Sequence, residues 1–404
     1  MATLRKIIND PVHGFITIDD ELVYALIAHP FYQRLRRIKQ MALAYLVYPG
    51  AVHTRLHHSL GAYHLMQIAI SELKQKGIEI TESEKQGALI AILLHDIGHG
   101  PYSHALEHTL VDVHHEELSL LIMQKLNAEM QGQLSLAIEI FTNKYPKKFL
   151  HQLVSSQLDV DRMDYLARDS FFTGVSEGVI GYDRILKMLT VHNDELVVEE
   201  KGIHSIEKFL IARRLMYWQV YLHKTVLSSE LMLVNILKRA KMLSKEGRNL
   251  FATPSLQFFL QHSLSTADFA SNDNNLIQFL RLDDSDIISS VKVWQEDEDK
   301  ILSDLCTRLT NRKLLKVHFF KDKITDKINE KRAACMQKYN LNEEEIPYYF
   351  VNDVASNRAY NAGAENIKII FKNGEVKEIS QVENTLISDG LLVPIKKEYI
   401  CSLS

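Results

Sequence analysis

Four side chains in this sequence have the chemistry of a divalent-metal site, and each lies on an otherwise apolar segment. They are His58, the adjacent pair His95 and Asp96, and Asp161. A buried imidazole or carboxylate is costly unless it is paired, hydrogen-bonded or bound to a metal. Two imidazoles and two carboxylates form a mixed nitrogen and oxygen set, which suits Mg²⁺, Mn²⁺ or iron with open positions for water and substrate. A set of cysteines and histidines would instead have indicated structural zinc.

The pair His95 and Asp96 has a plainer interpretation when it is considered alone. It follows the apolar run 88–94, and the glycines and proline of residues 98–101 end the helix directly after it. A helix-terminal His followed by a capping Asp would explain the dipeptide without a metal, and we would favour that explanation for the dipeptide by itself. With the other two candidate ligands, the pair becomes half of a metal site.

Other groups near these four could act on a phosphorylated substrate. Positioned His and carboxylate side chains can transfer protons to a leaving group, and arginines bind phosphate through two parallel hydrogen bonds. Singly, an arginine is more often a solvated charge and a tyrosine more often a core residue. The candidates are His104, Glu107 and His115 for proton transfer, Arg55, Arg162 and Arg213 for phosphate, and Tyr165 and Tyr221 for sugar or base.

Helices are predicted to position most of these groups. Asp161, Tyr165 and Asp169 recur every four residues and therefore share one helix face. We predict helices at residues 21–28, 31–44, 53–73, from a cap at Ser83 or Thr81 to 96, through most of 105–170, at 203–243 and within 245–312. We predict strands at residues 15–18, 187–192, 195–199, 315–320, 366–371 and 375–379, with hairpin turns at 193–194 and 372–374. The expected fold is mostly α, with a helical catalytic domain at 1–312 (core motifs at 50–170), a short β-hairpin and a smaller C-terminal α+β lobe at 313–404.

Composition limits the class of protein. The 404 residues are 46% hydrophobic and 24% charged, which is ordinary for a soluble globular protein. There is no apolar run of the ~18–20 residues that a membrane span needs, and the first residues do not resemble a signal peptide. Three scattered cysteines do not form a disulfide framework, so we expect a cytoplasmic protein. The net charge of −4 argues against wholesale electrostatic binding of nucleic acid.

Beyond the four ligands, long ordered motifs carry a resemblance to a known family. They are NDPVHG at 9–14, FYQRLR at 31–36, YPG at 48–50, RLHHSLG at 55–61, HDIGHGPYSH at 95–104, HE at 115–116 and DVDRMDYLARD at 159–169. The sequence resembles the deoxynucleoside triphosphate triphosphohydrolases of the HD phosphohydrolase superfamily. These include bacterial dGTPase-like enzymes and the HD domain of the vertebrate SAM-and-HD protein. The resemblance covers roughly residues 4–230, and the C-terminal third adds little to it.

The resemblance implies a role for each matching residue. It implies a metal held by His58, His95, Asp96 and Asp161, which could be Mg, Mn or Fe, or Zn or Ni in the protein as purified. It implies proton-transfer or phosphate roles for His104, Glu107 and His115, triphosphate contacts for Arg55, Arg162, Tyr165 and Arg213, recognition of the 3′-hydroxyl by Asp169 and Gln40, and sugar contacts for Met41 and Tyr221.

The sequence also departs from the family pattern. Glu107 stands where the family usually has Asp, and Arg162 replaces a Lys. Leu222 stands where relatives can carry a base-contacting Gln, so the base preference is open. Some relatives are activated by a nucleotide bound at subunit interfaces, and Lys6, Gln33 and Arg36 match parts of that site. Ala28 replaces its guanine-reading Asp, which argues against guanine-specific activation.

The leading hypothesis is therefore metal-dependent hydrolysis of dNTPs to deoxynucleoside and inorganic triphosphate, with nucleotide activation and a homo-oligomer (dimer or tetramer) expected from the resemblance. One alternative is another HD activity, such as a nucleotidase or a phosphodiesterase. The other is a low-turnover nucleotide- or nucleic-acid-binding protein, which the basic segment Arg34 to Lys39 suggests. We favour an interface or a solvated face for that segment. No membrane partner is expected.

Overall fold

Polar caps begin many of the helices in this chain, and helices make up most of its structure. The computed structural model describes residues 5–107, 109–320, 325–357, 366–382 and 395–403. Its helices are α1 (Glu21–Ala28), α2 (Pro30–Gln33), α3 (Arg55–Gln75), α4 (Glu82–Leu94), α5 (His115–Glu129), α6 (Ser135–Phe141), α7 (Lys148–Val154), α8 (Val160–Thr173), α9 (Tyr182–Met188), α10 (Ile203–Met216), α11 (Lys224–Lys245), α12 (Pro254–Gln261), α13 (Thr266–Ser271), α14 (Asp273–Arg281), α15 (Asp284–Val293), α16 (Lys300–Thr310), α17 (Thr325–Tyr339) and α18 (Ile346–Tyr349). The predicted mostly α fold is confirmed. Within the described ranges, no helix combines the length and apolar character needed to cross a bilayer.

The strands form three small sheets. They are β1 (Lys6–Asp10), β2 (Gly14–Ile18), β3 (Leu189–His192), β4 (Glu195–Glu199), β5 (Lys316–Phe319), β6 (Phe350–Asn357), β7 (Lys368–Ile370), β8 (Val376–Glu378) and β9 (Ile395–Ser402). β1 pairs with β2, a four-stranded sheet has the order β3-β4-β7-β8, and a three-stranded sheet has the order β5-β9-β6. The hairpin predicted around residues 193–194 is present as β3 and β4. The division at 312/313 stays a prediction; β7, from the C-terminal part, pairs in parallel with β4.

Three capped helices, α3, α4 and α8, form the centre of the helical core. At the start of α4, Thr81 accepts a hydrogen bond from the backbone N–H of Glu84, and Glu84 accepts one from Thr81 in return. Asp159 caps α8 by accepting from the backbone N–H of Arg162 at 2.7 Å. Every residue of α4 from 87 to 94 is buried. These caps fix where each helix begins, and so which side chains face the centre.

The predicted helix at residues 31–44 is wrong. Helix α2 ends at Gln33, a single 3₁₀ turn follows, and Ile38 is extended. Arg34 causes much of this departure because its side chain is fully buried. Its guanidinium donates to the backbone carbonyls of Leu282 and His99, both at 2.7 Å. These partners are distant in sequence, so helical spacing could not reveal them.

The predicted helix at residues 203–243 is interrupted. Helix α10 ends at Met216, a π-helical turn spans Tyr217–Tyr221, and α11 begins at Lys224. The ring nitrogen Nδ1 of His223 accepts from the backbone N–H of Thr225 and caps α11. Such single π turns are often found at functional sites, and here the turn carries Tyr217 and Tyr221 to the wall of a cavity.

Candidate metal centre and substrate cavity

Three helices bring the four predicted metal ligands together. His58 lies on α3, His95 and Asp96 follow α4, and Asp161 lies in the first turn of α8. The Nε2 atom of His58 lies 3.0 Å from an oxygen of Asp161 and 3.5 Å from one of Asp96. The Nε2 atom of His95 lies 3.3 Å from Asp96 and 3.5 Å from Asp161. Ligand atoms of His58, His95 and Asp161 lie within 4.8 Å of one another, and Asp96 adjoins both imidazoles through its two oxygens.

The imidazoles are oriented as metal ligands are. Nδ1 of His58 bonds a carboxylate oxygen of Asp164 at 2.8 Å, and Nδ1 of His95 bonds the carbonyl of Ile92 at 2.6 Å. Both acceptors require the proton on Nδ1, which leaves a lone pair on Nε2. Both Nε2 atoms are buried and make no aligned hydrogen bond, although carboxylate oxygens lie within 3.0–3.5 Å. Close approach without hydrogen-bond alignment is what ligands of a shared cation show, so these residues fit a divalent metal.

The charge at this centre also favours a cation. Burial opposes protonation of His58, but Asp161 and Asp164 outweigh it and raise its pKa to about 10. Burial opposes ionisation of Asp96, but His95 and Arg55 hold its pKa well below the usual range. Positive charge is thus stabilised between carboxylates that stay ionised.

Asp164 links the centre to a second layer of buried charge that the sequence analysis missed. Its other oxygen bonds Nε2 of His13, from the β1–β2 turn, at 2.6 Å. Arg168, one helical turn later, bonds both oxygens of Asp164 at 2.9 Å and also pairs with Asp10. A Cβ on Gly61 would lie 2.0 Å from Asp164, so α3 can approach α8 this closely only at a glycine. The spacing of Asp164 and Arg168, four residues apart, could have indicated the ion pair.

Arg55 and His99 flank Asp96 on the other side. Arg55 donates to Asp96 through Nη1 and to the hydroxyl of Ser103 through Nε at 3.0 Å. His99 approaches the second oxygen of Asp96 at 3.4 Å. Burial and the neighbouring Arg55 lower the pKa of His99 well below its usual value, so its ring is neutral near pH 7. His99 therefore contacts Asp96 as a neutral ring, from the turn that follows α4.

The predicted proton-transfer residues include one ordered pair. Glu107 accepts from both the backbone N–H and Nδ1 of His115, each at 2.9 Å. The ring of His115 stacks on His99 with centroids 3.9 Å apart. Glu107 therefore orients His115 and fixes its tautomer. The side chain of His104, the third candidate, lies outside the described residues.

A cavity of about 440 Å³ runs beside the centre, within the usual size of small-molecule sites. His58 lies behind its wall, fully buried. Neither Glu107 nor Arg213 is among the lining residues. The predicted site residues that do line it are Gln40, Met41, Arg55, His95, Asp96, His115, Asp161, Arg162, Tyr165, Asp169 and Tyr221.

The side of the cavity away from the metal centre is built around Asp169. One of its oxygens bonds Nε2 of His53 at 2.7 Å, and the other accepts from the hydroxyl of Tyr221 at 2.7 Å. His53 in turn stacks on Phe172. Gln40, across the cavity, has a buried side-chain oxygen without a hydrogen-bond partner among the described residues. A polar atom left in this state is available to a ligand.

Two of the predicted phosphate-binding arginines, Arg162 and Arg213, differ in their hydrogen bonds and in their distance from the cavity. Nε of Arg162 donates to the carbonyl of Ser156 at 2.7 Å, and its Nη1 lies 3.9 Å from Asp161. Arg213 is 9% exposed and donates to Gln157 at 3.2 Å. Nε of Arg213 has no hydrogen-bond partner in the described part of the chain. Arg162 thus lines the cavity beside the metal centre, whereas Arg213 lies behind the wall with an unsatisfied donor.

The residues predicted for nucleotide activation lie elsewhere. Lys6 is exposed on β1, Gln33 bonds the carbonyl of Ile27, and Arg36 bonds the side chain of Gln33 at 2.7 Å. Two other cations of the basic segment are held locally, since Arg37 pairs with Asp283 and Lys39 lies 3.6 Å from Asp284. With Arg34 buried, the segment does not present a continuous basic stripe.

Sequence reasoning also missed several lining residues, among them Tyr102, Tyr217, Val226 and Glu230. The first three match ordinary core positions in sequence. Glu230 is a single acid in an otherwise mixed helix, with no motif around it. Only the packing of α11 against the cavity distinguishes it from a solvated side chain.

Comparison with known proteins agrees with this geometry. Residues 55–169 match the HD domain family, and residues 180–251 match the HD associated region. The crystal structure of a phosphohydrolase from Bacteroides thetaiotaomicron is 50% identical and has a TM-score of 0.94, covering 99% of this chain and 100% of that one. The Bacillus subtilis protein YwfO is 36% identical over 394 residues, which are 93% of this chain and 87% of YwfO.

A more distant relative has a more specific name. The deoxynucleoside triphosphate triphosphohydrolase SAMHD1 homolog of Dictyostelium discoideum is 32% identical over 260 residues, 59% of this chain and 50% of the homolog. The matched HD domain contains all four predicted ligands, His58, His95, Asp96 and Asp161, and the first, second and fourth of these form one cluster that could hold a metal ion. On the resemblance, the comparisons and the geometry together, the chain belongs to the HD-domain family of metal-dependent hydrolases, among its dNTP triphosphohydrolase-like members.

Proposed function

We propose that this protein hydrolyses dNTPs to deoxynucleoside and inorganic triphosphate. The observation that carries the proposal is a single cavity lined by three of the metal-ligand residues, by two arginines and by the Asp169–Tyr221 pair. These are the parts that phosphate hydrolysis on a sugar 5′-position requires: a metal, cations for the triphosphate and polar groups for the sugar. The name of the Dictyostelium relative supports the same activity.

The divalent metal would be held by His58, His95, Asp96 and Asp161. When bound, such an ion polarises a phosphate oxygen and lowers the pKa of a water molecule. The mixed imidazole and carboxylate set is suited to Mg²⁺, Mn²⁺ or Fe²⁺, and we propose one of these, with Zn or Ni as ions that the purified protein could carry.

The chain's own residues would bind and neutralise the triphosphate. Arg162 and Arg55 line the cavity beside the ligands, so their guanidinium groups could offset charge that develops on the triphosphate while the 5′-oxygen departs. Arg213 could join them by leaving its 3.2 Å bond to Gln157. Tyr165, between Arg162 and Tyr221 on the cavity wall, would hold the substrate at the metal end.

Proton transfer to the departing 5′-oxygen would fall to His115. Its Nδ1 proton is held by Glu107 at 2.9 Å, so Nε2 is the atom that can exchange a proton with substrate. We propose His104 as the second histidine of this function. Asp169 and Gln40 would bind the 3′-hydroxyl, and Met41 would pack where a ribose 2′-hydroxyl would protrude.

Two other functions remain to be separated from this one. A nucleotidase or phosphodiesterase of the same family would use the same metal centre, and its product would differ. A nucleic-acid-binding protein is less favoured, because the basic segment that suggested it holds Arg34 inside and Arg37 against Asp283. We further propose a cytoplasmic homo-oligomer, dimer or tetramer, with a nucleotide activator near Lys6, Gln33 and Arg36.

The test is a panel of the four dNTPs with Mg²⁺ or Mn²⁺, each also offered as activator of the others. The expected product is inorganic triphosphate, resolved from pyrophosphate and phosphate by ion chromatography. Release of phosphate alone would support the nucleotidase alternative. Asp161→Asn should lose turnover, whereas Asp19→Asn, an exposed aspartate outside the cavity, should retain it. Normal turnover in Asp161→Asn would contradict the proposed metal centre.

A further inference from the structure

One wall of the cavity is formed by helix α11, which has no role in the function proposed above. Val226 and Glu230 both line the cavity from this helix. They are four residues apart and therefore lie on the same helix face, about 6 Å apart along the axis. Glu230 is thus the only acid that α11 contributes to the lining.

The carboxyl of Glu230 is unsatisfied by the protein. This half-buried residue has no hydrogen bond or ion pair with any residue in the described ranges. Burial is the sole cause that shifts its titration, and it raises the pKa to about 7. A structural carboxyl in such surroundings is normally paired, since an unpaired one costs free energy. An unpaired carboxyl in a ligand cavity is instead typical of groups that bind a ligand.

The lining residues near Glu230 indicate which part of a substrate it would contact. The metal ligands and Arg162 define one region, and Asp169 with Tyr221 defines the next. From Tyr221 the chain continues through the start of α11 to Val226 and then to Glu230. From Met41 it continues to Ala44, which also lines the cavity and belongs to a short helix that packs against α11. The apolar side chains of Ala44 and Val226 give this wall a surface that suits the flat face of a nucleobase.

We propose that Glu230 is a specificity-determining residue that recognises N–H donors on the edge of the nucleobase. This inference rests on the proposed dNTP hydrolysis. A carboxylate can accept two parallel hydrogen bonds, and guanine presents two adjacent donors, N1–H and the N2 amino group. Thymine presents a single N3–H between two carbonyl oxygens, which a carboxylate repels. Glu230 therefore favours guanine and disfavours thymine.

The experiment compares base preference, with all four dNTPs present as one equimolar mixture so that every variant meets the same activators. Relative rates of consumption give the ratio of kcat/KM for dGTP to that for dTTP. In Glu230→Gln this ratio should fall about 10-fold, the size expected for loss of a bidentate base contact. The matched control is Glu246→Gln, an exposed glutamate at the end of the same helix, which should leave the ratio unchanged.

A second variant, Glu230→Met, separates recognition from folding. Because the carboxyl has no partner, an apolar side chain of similar volume should keep or raise Tm while it also lowers the dGTP to dTTP ratio. An unchanged ratio in both variants, with dNTPs still hydrolysed, would overturn this inference and leave the proposed function standing. If the wild-type protein neither hydrolyses nor binds any dNTP in an equilibrium competition assay, the proposed function fails and this inference fails with it.

Discussion

The metal-ligand region and the substrate region share one cavity, but they treat polar groups in opposite ways. Around the metal ligands, protein groups hold the atoms that face away from the centre, as Asp164 holds Nδ1 of His58, and the Nε2 atoms of His58 and His95 that face it make no hydrogen bond. In the substrate region, an oxygen of Gln40, Nε of Arg213 and the carboxyl of Glu230 have no partner among the described residues. The first region is organised before any substrate arrives, whereas the second leaves its polar atoms for a ligand to satisfy.

Because of this difference, mutations in the two regions should have different effects on stability and on function. Removing a group from the paired layer leaves a buried charge behind and destabilises the fold. Removing an unpaired group from the substrate region costs little stability and weakens recognition instead. The following predictions compare the two regions on both measurements.

The largest effect is expected for Asp164→Asn. This change strips Arg168 of a paired carboxylate and loosens the orientation of His58. We expect the free energy of unfolding to fall by about 3–5 kcal/mol and metal affinity to fall by about 10–100-fold. Urea denaturation and metal content after dialysis would measure the two effects.

Asp161→Asn provides the control for Asp164→Asn. Asp161 is a predicted ligand that supports no buried ion pair of the kind Arg168 makes. Compared without metal, Asp161→Asn should therefore lose less stability than Asp164→Asn, because it removes the contact with His58 but leaves Arg168 paired, although it binds metal poorly. Equal destabilisation by the two variants would contradict the distinction between ligand and supporting layer.

In the substrate region, Arg213→Met should have the opposite effect: it should reduce activity without reducing stability. The guanidinium has one long bond, to Gln157, and an unsatisfied Nε, so its removal should leave Tm unchanged or higher. If Arg213 binds the triphosphate, kcat/KM for dNTPs should fall about 100-fold, or roughly 2.7 kcal/mol. Steady-state kinetics and a thermal melt would measure both. Arg214→Met, at the neighbouring position on a different face of α10, should retain wild-type kinetics.

The sequence alone predicted the features that local spacing determines and missed those that depend on distant residues. Helices α3 and α4 were placed to within about two residues, because the polar cap before α4 and the apolar spacing are local features. Helix α8 was predicted only as part of a longer helical region at 105–170. The convergence of the four ligands also follows from the motifs. The break after Gln33 was not predictable, because Arg34 turns inward to carbonyls more than 60 residues away. Strand β1 was missed as well, since it forms only by pairing with β2.

Within the site, the missed residues are those whose role depends on contacts with other elements. Asp164 lies inside the motif at 159–169, but the role of its carboxylate depends on His13 and His58, which reach it from other elements. Glu230 has no local feature at all. The sequence motifs therefore predict the metal ligands, but they do not identify residues such as Asp164 and Glu230, whose role depends on packing against other elements.

A smaller effect, on stability alone, is expected for Glu84→Gln in the first turn of α4. Glu84 is buried, but Lys147, the backbone N–H of Thr81 and Tyr145 outweigh burial and lower its pKa from 4.5 to about 2. Because the folded-state pKa is the lower one, this stabilisation is complete above pH 4.5 and is lost as the pH falls toward 2. Glu84→Gln should reduce the free energy of unfolding at pH 7 by roughly 2–3 kcal/mol.

The measurement is a series of urea melts from pH 7 to pH 3, in which the gap between wild type and Glu84→Gln should narrow below about pH 4.5. Turnover of the folded variant should equal that of wild type, because α4 separates Glu84 from His95 by roughly 20 Å. A gap that stays constant with pH would show that the ionised carboxylate is not the stabilising species. A loss of turnover would show that the anchored end of α4 also controls the metal ligands.

The smallest effect is expected for Tyr221→Phe, which tests whether the substrate region is organised by the protein or by the ligand. The variant removes one hydrogen bond to Asp169, and His53 still holds the other oxygen at 2.7 Å. A hydrogen bond to a charged group contributes about 1.5 kcal/mol; because this one is made in the free protein, part of its loss should appear as a lower Tm, and kcat/KM should fall by less than about 10-fold. If Asp169 binds the 3′-hydroxyl, 2′,3′-dideoxynucleotides should lose much less than dNTPs do, because they lack the group that the oriented carboxylate accepts. An equal loss for both substrates would mean that Tyr221 acts on the base or the triphosphate, and that Asp169 is positioned by His53 alone.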